Sequence, residues 1–416
     1  MKGMNQRVRA RNTVRGPQLP QRPAQHAVIM LVSIALLSIS FVSCANGQSG
    51  TNAMQSGATV ATASTCDLQH ASYTIRQLGS WSSDLNNGWA PDSQHRAYAA
   101  DGQIKIFDTQ TNITTATLTP SMNAVAPEWS ADGTHIFFSA RPPTVKVKNG
   151  PNGALTLHTP PEMYVMNANG SDLQQVTLDS PLPSGSSMVY WDSLTPAKFS
   201  PDGKHIAFST LQGLTSESLS GMQHANWIML MGNLVTVNGT PHLRNVHQLL
   251  APSPDWHEAK GFTRDSQDLL FGASTGTGLG SSPFNADVYT LNLATGAITR
   301  YTSNPAWEET MDVNPVSDFI VFNSNRDNPT PALNYALGSA ASGHHDLYLA
   351  GPQGDAGWTR RLTTDGNPDK GGWASLQPHW SPNGRAIFFQ QSLKAVGKGL
   401  VAQRMMLLTF TCPATA

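Results

Sequence analysis

Apolar and polar positions along this chain alternate in short runs cut by turn residues, and outside the N-terminus no segment keeps a 3.6-residue apolar period. The clearest unit is residues 375–391, Ser-Leu-Gln-Pro-His-Trp-Ser-Pro-Asn-Gly-Arg-Ala-Ile-Phe-Phe-Gln-Gln. An apolar run ending in an aromatic, a Ser-Pro-Asn-Gly turn and a second apolar run spell a β-hairpin. Proline presets φ at the first corner of the turn, and glycine accepts φ > 0 at the last. Residues 127–139, Pro-Glu-Trp-Ser-Ala-Asp-Gly-Thr-His-Ile-Phe-Phe-Ser, and residues 196–209, Pro-Ala-Lys-Phe-Ser-Pro-Asp-Gly-Lys-His-Ile-Ala-Phe-Ser, repeat it. Degraded copies stand at 88–93, 261–266 and 313–322, which makes six.

A second phrase follows the hairpins. It reads Glu-Met-Tyr-Val-Met-Asn-Ala-Asn-Gly at 162–170 and Asp-Val-Tyr-Thr-Leu-Asn-Leu-Ala-Thr-Gly at 287–296. At 346–354 it reads Asp-Leu-Tyr-Leu-Ala-Gly-Pro-Gln-Gly, and each copy leads into a further short β-run. Four strands per unit and six units predict an all-β chain, a six-bladed β-propeller with four antiparallel strands per blade. The sixth unit ends one strand short, after the run at 403–411. The spare strand is at the other end of the chain, where Tyr-Thr-Ile-Arg-Gln-Leu at 73–78 reads like the fourth-strand phrase Thr-Arg-Arg-Leu-Thr at 359–363. The N-terminal strand is therefore expected to complete the last blade, leaving no sheet edge there.

The paired phrases resemble the WD-like repeats of TolB-type propeller proteins, P-x-W-S-P-D-G-x-x-I-x-F-x-S followed by I-Y-x-M-x-x-x-G-x-x-x-x-L-T, over roughly residues 72–411. The resemblance implies a propeller that engages envelope partners as a binding module. Fold does not transfer function, because propellers host binders and enzymes alike.

The N-terminus lies outside the repeats. Residues 1–26 carry Lys2, Arg7, Arg9, Arg11, Arg15 and Arg22 without an acid, and residues 27–42 are almost continuously apolar, the order of an export signal. The run ends Phe-Val-Ser-Cys44, which resembles a bacterial lipoprotein cleavage box with Cys44 as the lipidated residue. Plain cleavage near Ala45 and a retained signal anchor are the alternatives. Three segments follow: 1–44, a signal or anchor; 45–65, a small and polar flexible linker; and 66–416, the propeller. The location expected is extracytoplasmic, held to the cell envelope through a lipid or a signal anchor. After Cys44 only Cys66 and Cys412 remain, bracketing the repeats, and in an oxidising compartment they are candidates for a disulfide.

Charge narrows the partners. Charged residues make up 13% and the net charge is −1, so the electrostatic footprint of a nucleic-acid binder is missing. In an up-and-down blade the first-to-second turns share one face and the second-to-third loops the other. The former are short here, and the latter, at 141–161, 211–226, 273–286 and 323–345, are long. Long insertions collected on one face of a repeat protein mark its binding face. Trp81, Trp191, Trp256, Trp307 and Trp373 enter the blades on that side. Indoles there either stack on a ligand or pack over the neighbouring blade.

A second set precedes the aromatic position of each first strand: Gly88, Glu128, Lys198, Gly261, Asp312 and His379. Glu128, Lys198, Asp312 and His379 are candidates to line the central channel, or else they point into water at a blade rim. Catalytic motifs are scarce. Gly-Ala-Ser-Thr-Gly at 272–276 matches a nucleophile elbow in letters but follows a strand amid small residues. His344, His345 and Asp346 have no companion ligands at zinc spacing, and the oxygen-rich loop 365–369 reads as a connecting turn before it reads as a calcium site. The expectation is a monomeric, membrane-tethered module that binds an envelope protein or polymer through its long-loop face, without cofactor or metal. The alternative is a propeller enzyme, a lyase or hydrolase acting on carbohydrate or peptide at the channel mouth, with Asp312 and His379 as its acid–base pair.

Overall fold

The structure, a computed structural model, describes residues 66–79, 88–140, 145–148, 154–157, 162–179, 186–187, 198–212, 226–253, 256–274, 286–304, 306–327, 345–366, 372–395 and 399–412. Cys44, Trp81, Trp191 and most of the long loops lie outside them. Six small antiparallel sheets form a six-bladed β-propeller. Blade 4 shows the unit in full: His257–Phe262, Asp268–Ser274, Ala286–Asn292 and Ile298–Arg300, in order from the channel outward. Blade 5 repeats it with Met311–Val313, Ile320–Ser324, Asp346–Ala350 and Thr359–Arg361, and blade 2 with Ala124–Trp129, His135–Ala140, Glu162–Asn167 and Gln174–Gln175.

Two blades depart from the regular unit. Blade 1 has His95–Ala100, Gln103–Asp108 and Ile113–Thr117, with its inner segment joined through a single bridge between Trp89 and Arg96. Blade 3 has a short inner strand, Lys198–Phe199, then His205–Gln212, Asn226–Val237 and Thr240–Gln248. Thr177–Leu178 adds to its outer edge in parallel, tying blade 2 to blade 3. A separate hairpin, Val145–Lys148 with Ala154–Leu157, falls inside the long insertion of blade 2.

Ring closure follows the sequence expectation. Blade 6 comprises Trp373–Trp380, Ala386–Ala395 and Gly399–Thr411, and Ser72–Gly79 pairs antiparallel with the last of these from Ser72↔Thr411 to Gly79↔Met405. Cys66 and Cys412 form a disulfide beside that pairing, with Cα atoms 5.3 Å apart.

The core consists of wedges between blades. Six apolar clusters are found among the described residues, one for each blade-to-blade interface. The sixth joins Phe388, Met405 and Leu407 of blade 6 to Trp89, Tyr98 and Phe107 of blade 1, so the circle is complete. Each sheet is covered on both faces. In blade 2, Ile136 and Phe138 pack toward blade 1 while Phe137, between them, packs toward blade 3. A strand buried on both faces needs apolar residues at consecutive positions, which is why the second strands read Ile-Phe-Phe or Ile-Ala-Phe without polar alternation.

Candidate functional site

The channel positions are built by the inner strands. Those of blades 2, 4 and 6 carry a β-bulge, with register shifts between Val125 and Glu128, Ala259 and Gly261, and Leu376 and His379. Ala126 and Gln377 take left-handed backbone angles there, φ 52° each. An extra residue in one strand re-aims the side chain that follows it, and Pro127 and Pro378, which cannot donate to the ladder, sit inside two of these bulges.

Gly88, Glu128, Lys198, Gly261, Asp312 and His379, one from each blade, line a single cavity of about 320 Å³. The rest of its wall is the end of each inner strand and the start of each hairpin turn, including Trp89, Trp129, Phe199, Phe262 and Trp380 and the turn prolines Pro91, Pro201, Pro315 and Pro382. The cavity therefore lies at the short-turn end of the channel.

Its polar groups are unevenly satisfied. The Lys198 ammonium stands 3.4 Å from a Glu128 carboxylate oxygen, and both side chains are largely buried. Asp312 accepts the backbone N–H of Trp380 at 2.7 Å, across the interface to blade 6, and that of Val313 at 2.9 Å. Burial raises the Asp312 carboxyl to about 7, against the pull of Lys198 and of the two N–H groups and with help from Glu128. Burial, together with the positive charges of Lys198, Arg96 and Lys260, holds the His379 imidazole well below its usual range and so neutral. His379 Nε2 is shut off from solvent and finds no hydrogen-bond partner in the protein. Behind this wall Arg96 is fully buried, its guanidinium stacked 4.6 Å from the Trp89 ring centre and 3.7 Å from that of Phe388. Burial lowers its proton affinity, and Glu128 and Asp312 oppose that.

The tryptophans divide. Trp256 and Trp307 are buried, 5.4 Å apart between ring centres, and each donates its indole N–H to the glutamate two residues on, Trp256 to Glu258 at 3.1 Å and Trp307 to Glu309 at 2.9 Å. The two rings pack against each other and are buried, Trp256 5% and Trp307 4% exposed. Glu258 is itself buried, which raises its carboxyl, and Lys260 sits 2.9 Å away. Trp373 is half-buried beneath the Arg404 guanidinium, 4.2 Å from the ring centre. The repeated Trp-x-Glu at 256–258 and 307–309 was visible in the chain, but nothing there distinguished an indole clamp from an indole platform.

The described residues of the remaining motifs are engaged within the fold. Ser274 closes a strand, with its N–H and hydroxyl both directed at the Trp256 carbonyl, so it sits on no elbow. His345 is buried against Asn323, and Asp346 is held by Arg361 and Thr363. Asp365 accepts from Gln391 and pairs with Arg404. Among the described residues no group of three or more His, Cys, Asp or Glu side chains is placed to hold a metal ion.

Fold and site together define a six-bladed propeller with a ligand-sized, partly charged cavity in its channel. No family model and no curated protein matches the chain. Among solved structures it is similar to a protein of Agrobacterium tumefaciens named for TolB, at 14% identity and a TM-score of 0.44, covering 79% of this chain and 90% of that one. It is also similar to TolB from Acinetobacter baumannii, at 18% identity and a TM-score of 0.45, covering 79% of this chain and 62% of that one, so it spans less than two thirds of that relative. An oligogalacturonate lyase in complex with manganese matches at 12% identity and a TM-score of 0.43, over 82% of this chain and 94% of the other. At this distance the comparisons speak for no ligand or reaction, and the six-blade assignment rests on the sheets themselves.

Proposed function

We propose that this chain is an extracytoplasmic binding module whose ligand is received in the channel cavity. One observation carries the reading: the equivalent position of all six blades faces the same space, and two of those positions hold polar groups, Asp312 and the unpartnered His379 Nε2, at a clear cost in burial. The Cys66–Cys412 disulfide supports an oxidising compartment. A tether through residues 1–65, by lipid on Cys44 or by an anchor, and an envelope protein or polymer as partner, complete the reading.

Gly261 provides the test. A Cβ added there meets only Asp312 Oδ1, at 3.9 Å, so the side chain of Gly261→Leu starts into open space on the cavity wall. Ligands found by thermal-shift screening of short peptides and oligosaccharides against the wild type are expected to lose binding to Gly261→Leu at an unchanged melting temperature. Ligands that bind the filled variant equally well would overturn the cavity as the site. Excising residues 141–161 separates the long-loop face from the channel in the same screen.

One observation favours the enzymatic reading, a lyase or hydrolase at the channel mouth: a neutral imidazole and a carboxyl titrating near 7 share the cavity from adjacent blades. Against it, both oxygens of Asp312 are bound to main-chain N–H groups, which marks the residue as a clamp between blades 5 and 6. Turnover of an oligosaccharide or peptide that vanishes in His379→Gln would establish catalysis.

A further inference from the structure

We propose that a cleft between blades 2 and 3, at the short-turn end, takes up an extended basic segment of a partner protein as an added β-strand. This goes beyond the channel reading and concerns a second place on the ring. In blades 1, 2, 4 and 5 every residue of the third strand pairs with the second strand. Blade 3 differs. His205–Gln212 pairs with residues 226–233 only, and residues 234–237 run on past it, paired with residues 240–243 alone. Asn238 and Gly239 close this arm at φ of 51° and 82°, the left-handed corners of an Asn-Gly hairpin. Residues 234–237, Leu-Val-Thr-Val, thus have a ladder on one side and, among the described residues, none on the other. An uncharged edge without proline is one that proteins blunt unless another strand covers it.

The arm overlooks a cleft of about 780 Å³, within the ~300–1,000 Å³ of clefts that hold ligands. Leu234, Thr236 and Pro241 line it from the arm, and Phe137, Val165 and Phe199 add apolar surface from the two blades. Its charged lining is Asp132, Asp172 and Asp202, and no lysine or arginine lines it. His135 is there too, with Nδ1 2.6 Å from Thr134 Oγ1. Hydrogen bonds from Ser130 and Thr134 hold the Asp132 carboxyl down at about 2, so it stays ionised. Lys204 reaches Asp202 at 3.3 Å, while Asp132 and Asp172 have no lysine or arginine partner among the described residues. The hydrogen bonds these two accept fall on one oxygen each, Asp132 Oδ1 from Ser130 and Thr134 and Asp172 Oδ1 from Gln174. A strand added along residues 234–237 turns alternate side chains into the cleft. An apolar residue there meets the phenylalanines and a lysine or arginine meets the aspartates, whereas an acidic segment is repelled.

The test uses the full chain and the acetylated, amidated peptide Arg-Thr-Val-Thr-Arg, whose first, third and fifth side chains share one face of a strand. Its glutamate analogue Glu-Thr-Val-Thr-Glu and spermidine, a cation without a peptide backbone, are the controls. Affinities are measured by calorimetry, and amide exchange is followed residue by residue. The arginine peptide is expected to bind and to slow exchange in residues 234–237 by about tenfold or more. Asp132→Asn with Asp172→Asn keeps the Oδ1 acceptors and should weaken it about fivefold. Thr236→Arg, at an exposed position, puts a cation into the cleft and should abolish binding. Gly261→Leu, on the channel wall, should leave it unchanged. No binding of the arginine peptide, or equal binding of the glutamate peptide, would overturn the proposal. So would slow exchange of residues 234–237 before any peptide is added, since the edge would then be covered by this chain or a second copy. Spermidine binding as tightly as the peptide, or peptide binding that leaves exchange in residues 234–237 unaltered, would overturn the added strand. Peptide binding lost in Gly261→Leu but kept in Thr236→Arg would move the site to the channel and overturn the cleft. Failure of the cleft leaves the channel reading standing, because that reading is tested by ligands that Gly261→Leu abolishes.

Discussion

At the scale of single residues, the hairpin turns show why the six copies of one phrase differ. Gly133, Gly203 and Gly384 hold φ of +71°, +71° and +66°, the left-handed backbone that the Asp-Gly and Asn-Gly turns were read to need. In the two copies that end in serine, Ser93 and Ser266 adopt φ 60° instead and use the hydroxyl: it accepts the Asn383 N–H at 3.0 Å and the Asp202 N–H at 3.2 Å, tying each turn to the preceding blade around the ring. What looked like erosion is a tie between blades. The glycines are not equivalent either. A Cβ at Gly203 would have nothing within 4 Å, whereas at Gly384 it would come 2.6 Å from Asn314 Oδ1 and 2.2 Å from Val316 Cγ2. Gly203→Ala should therefore cost only the left-handed strain, about 1–2 kcal/mol. Gly384→Ala should cost about 1–3 kcal/mol more from overpacking, read from urea midpoints. Asp312 gives a pH signature. Its carboxyl is raised to about 7 in the folded protein against 3.8 ordinarily, so the native state holds the extra proton between those values. The contribution is complete below the lower value and is lost as pH rises through the upper one. Melting temperatures of wild type, referenced to Asp312→Asn, should fall across pH 4 to 7 and stay level above; a flat difference would refute the raised carboxyl.

At the scale of the element, the inner strand decides what reaches the channel. Its bulges place Glu128, Gly261 and His379 one residue later than a regular ladder would, and in blade 6 the bulge is pinned from blade 5 by the Gln377 N–H donating to Thr310 Oγ1 at 2.9 Å. Gln377, at φ 52°, should accept glycine almost without loss. Gln377→Val, a β-branched residue forced left-handed, should cost about 2 kcal/mol or more in chemical denaturation and broaden the His379 resonances. The strands, their number and the channel positions were legible because each is written several times over in apolar runs and turn residues. The bulges were legible only where proline marks them, at Pro127 and Pro378; Ala126 and Gln377 carry no sign of a left-handed backbone. The outer strands hid their chemistry as well. Arg300 reaches back to Asp287 at 2.5 Å and Arg361 to Asp346, while Thr302 and Thr363 hydroxyls accept the Val288 and Leu347 N–H groups at 2.9 Å. The Asp and Arg-x-Thr letters recur in the chain, but a fully buried aspartate paired with its own outer strand depends on register, which letters alone do not state.

At the scale of the whole molecule, everything depends on how the circle is held shut, and the closure has three parts of different reach. Strand Ser72–Gly79 supplies a ladder, the disulfide supplies a covalent tie across 346 residues of sequence, and Arg360 of blade 5 supplies a clamp. The Arg360 guanidinium donates to the carbonyls of Leu68, Gln69 and Ala71 at 2.9, 3.1 and 2.8 Å and lies 5.0 Å from the Tyr73 ring centre, while the Tyr73 hydroxyl donates to the Leu362 carbonyl at 2.8 Å. Leu68 is buried in the cluster between blades 5 and 6. Loop-closure entropy for a tie of that span sets a ceiling of about 6 kcal/mol on what the disulfide contributes, all of it by restricting the unfolded chain. The clamp and the ladder act in the folded state and do not depend on it. Cys66→Ser with Cys412→Ser should therefore lower the denaturation midpoint yet leave amide exchange in residues 72–79 as slow as in the rest of blade 6. Adding Arg360→Met to that background should release the segment, with exchange there faster by orders of magnitude while blades 2 to 4 keep their protection. Loss of protection on removal of the cysteines alone would mean that the covalent tie holds the first strand in place and that the clamp is incidental.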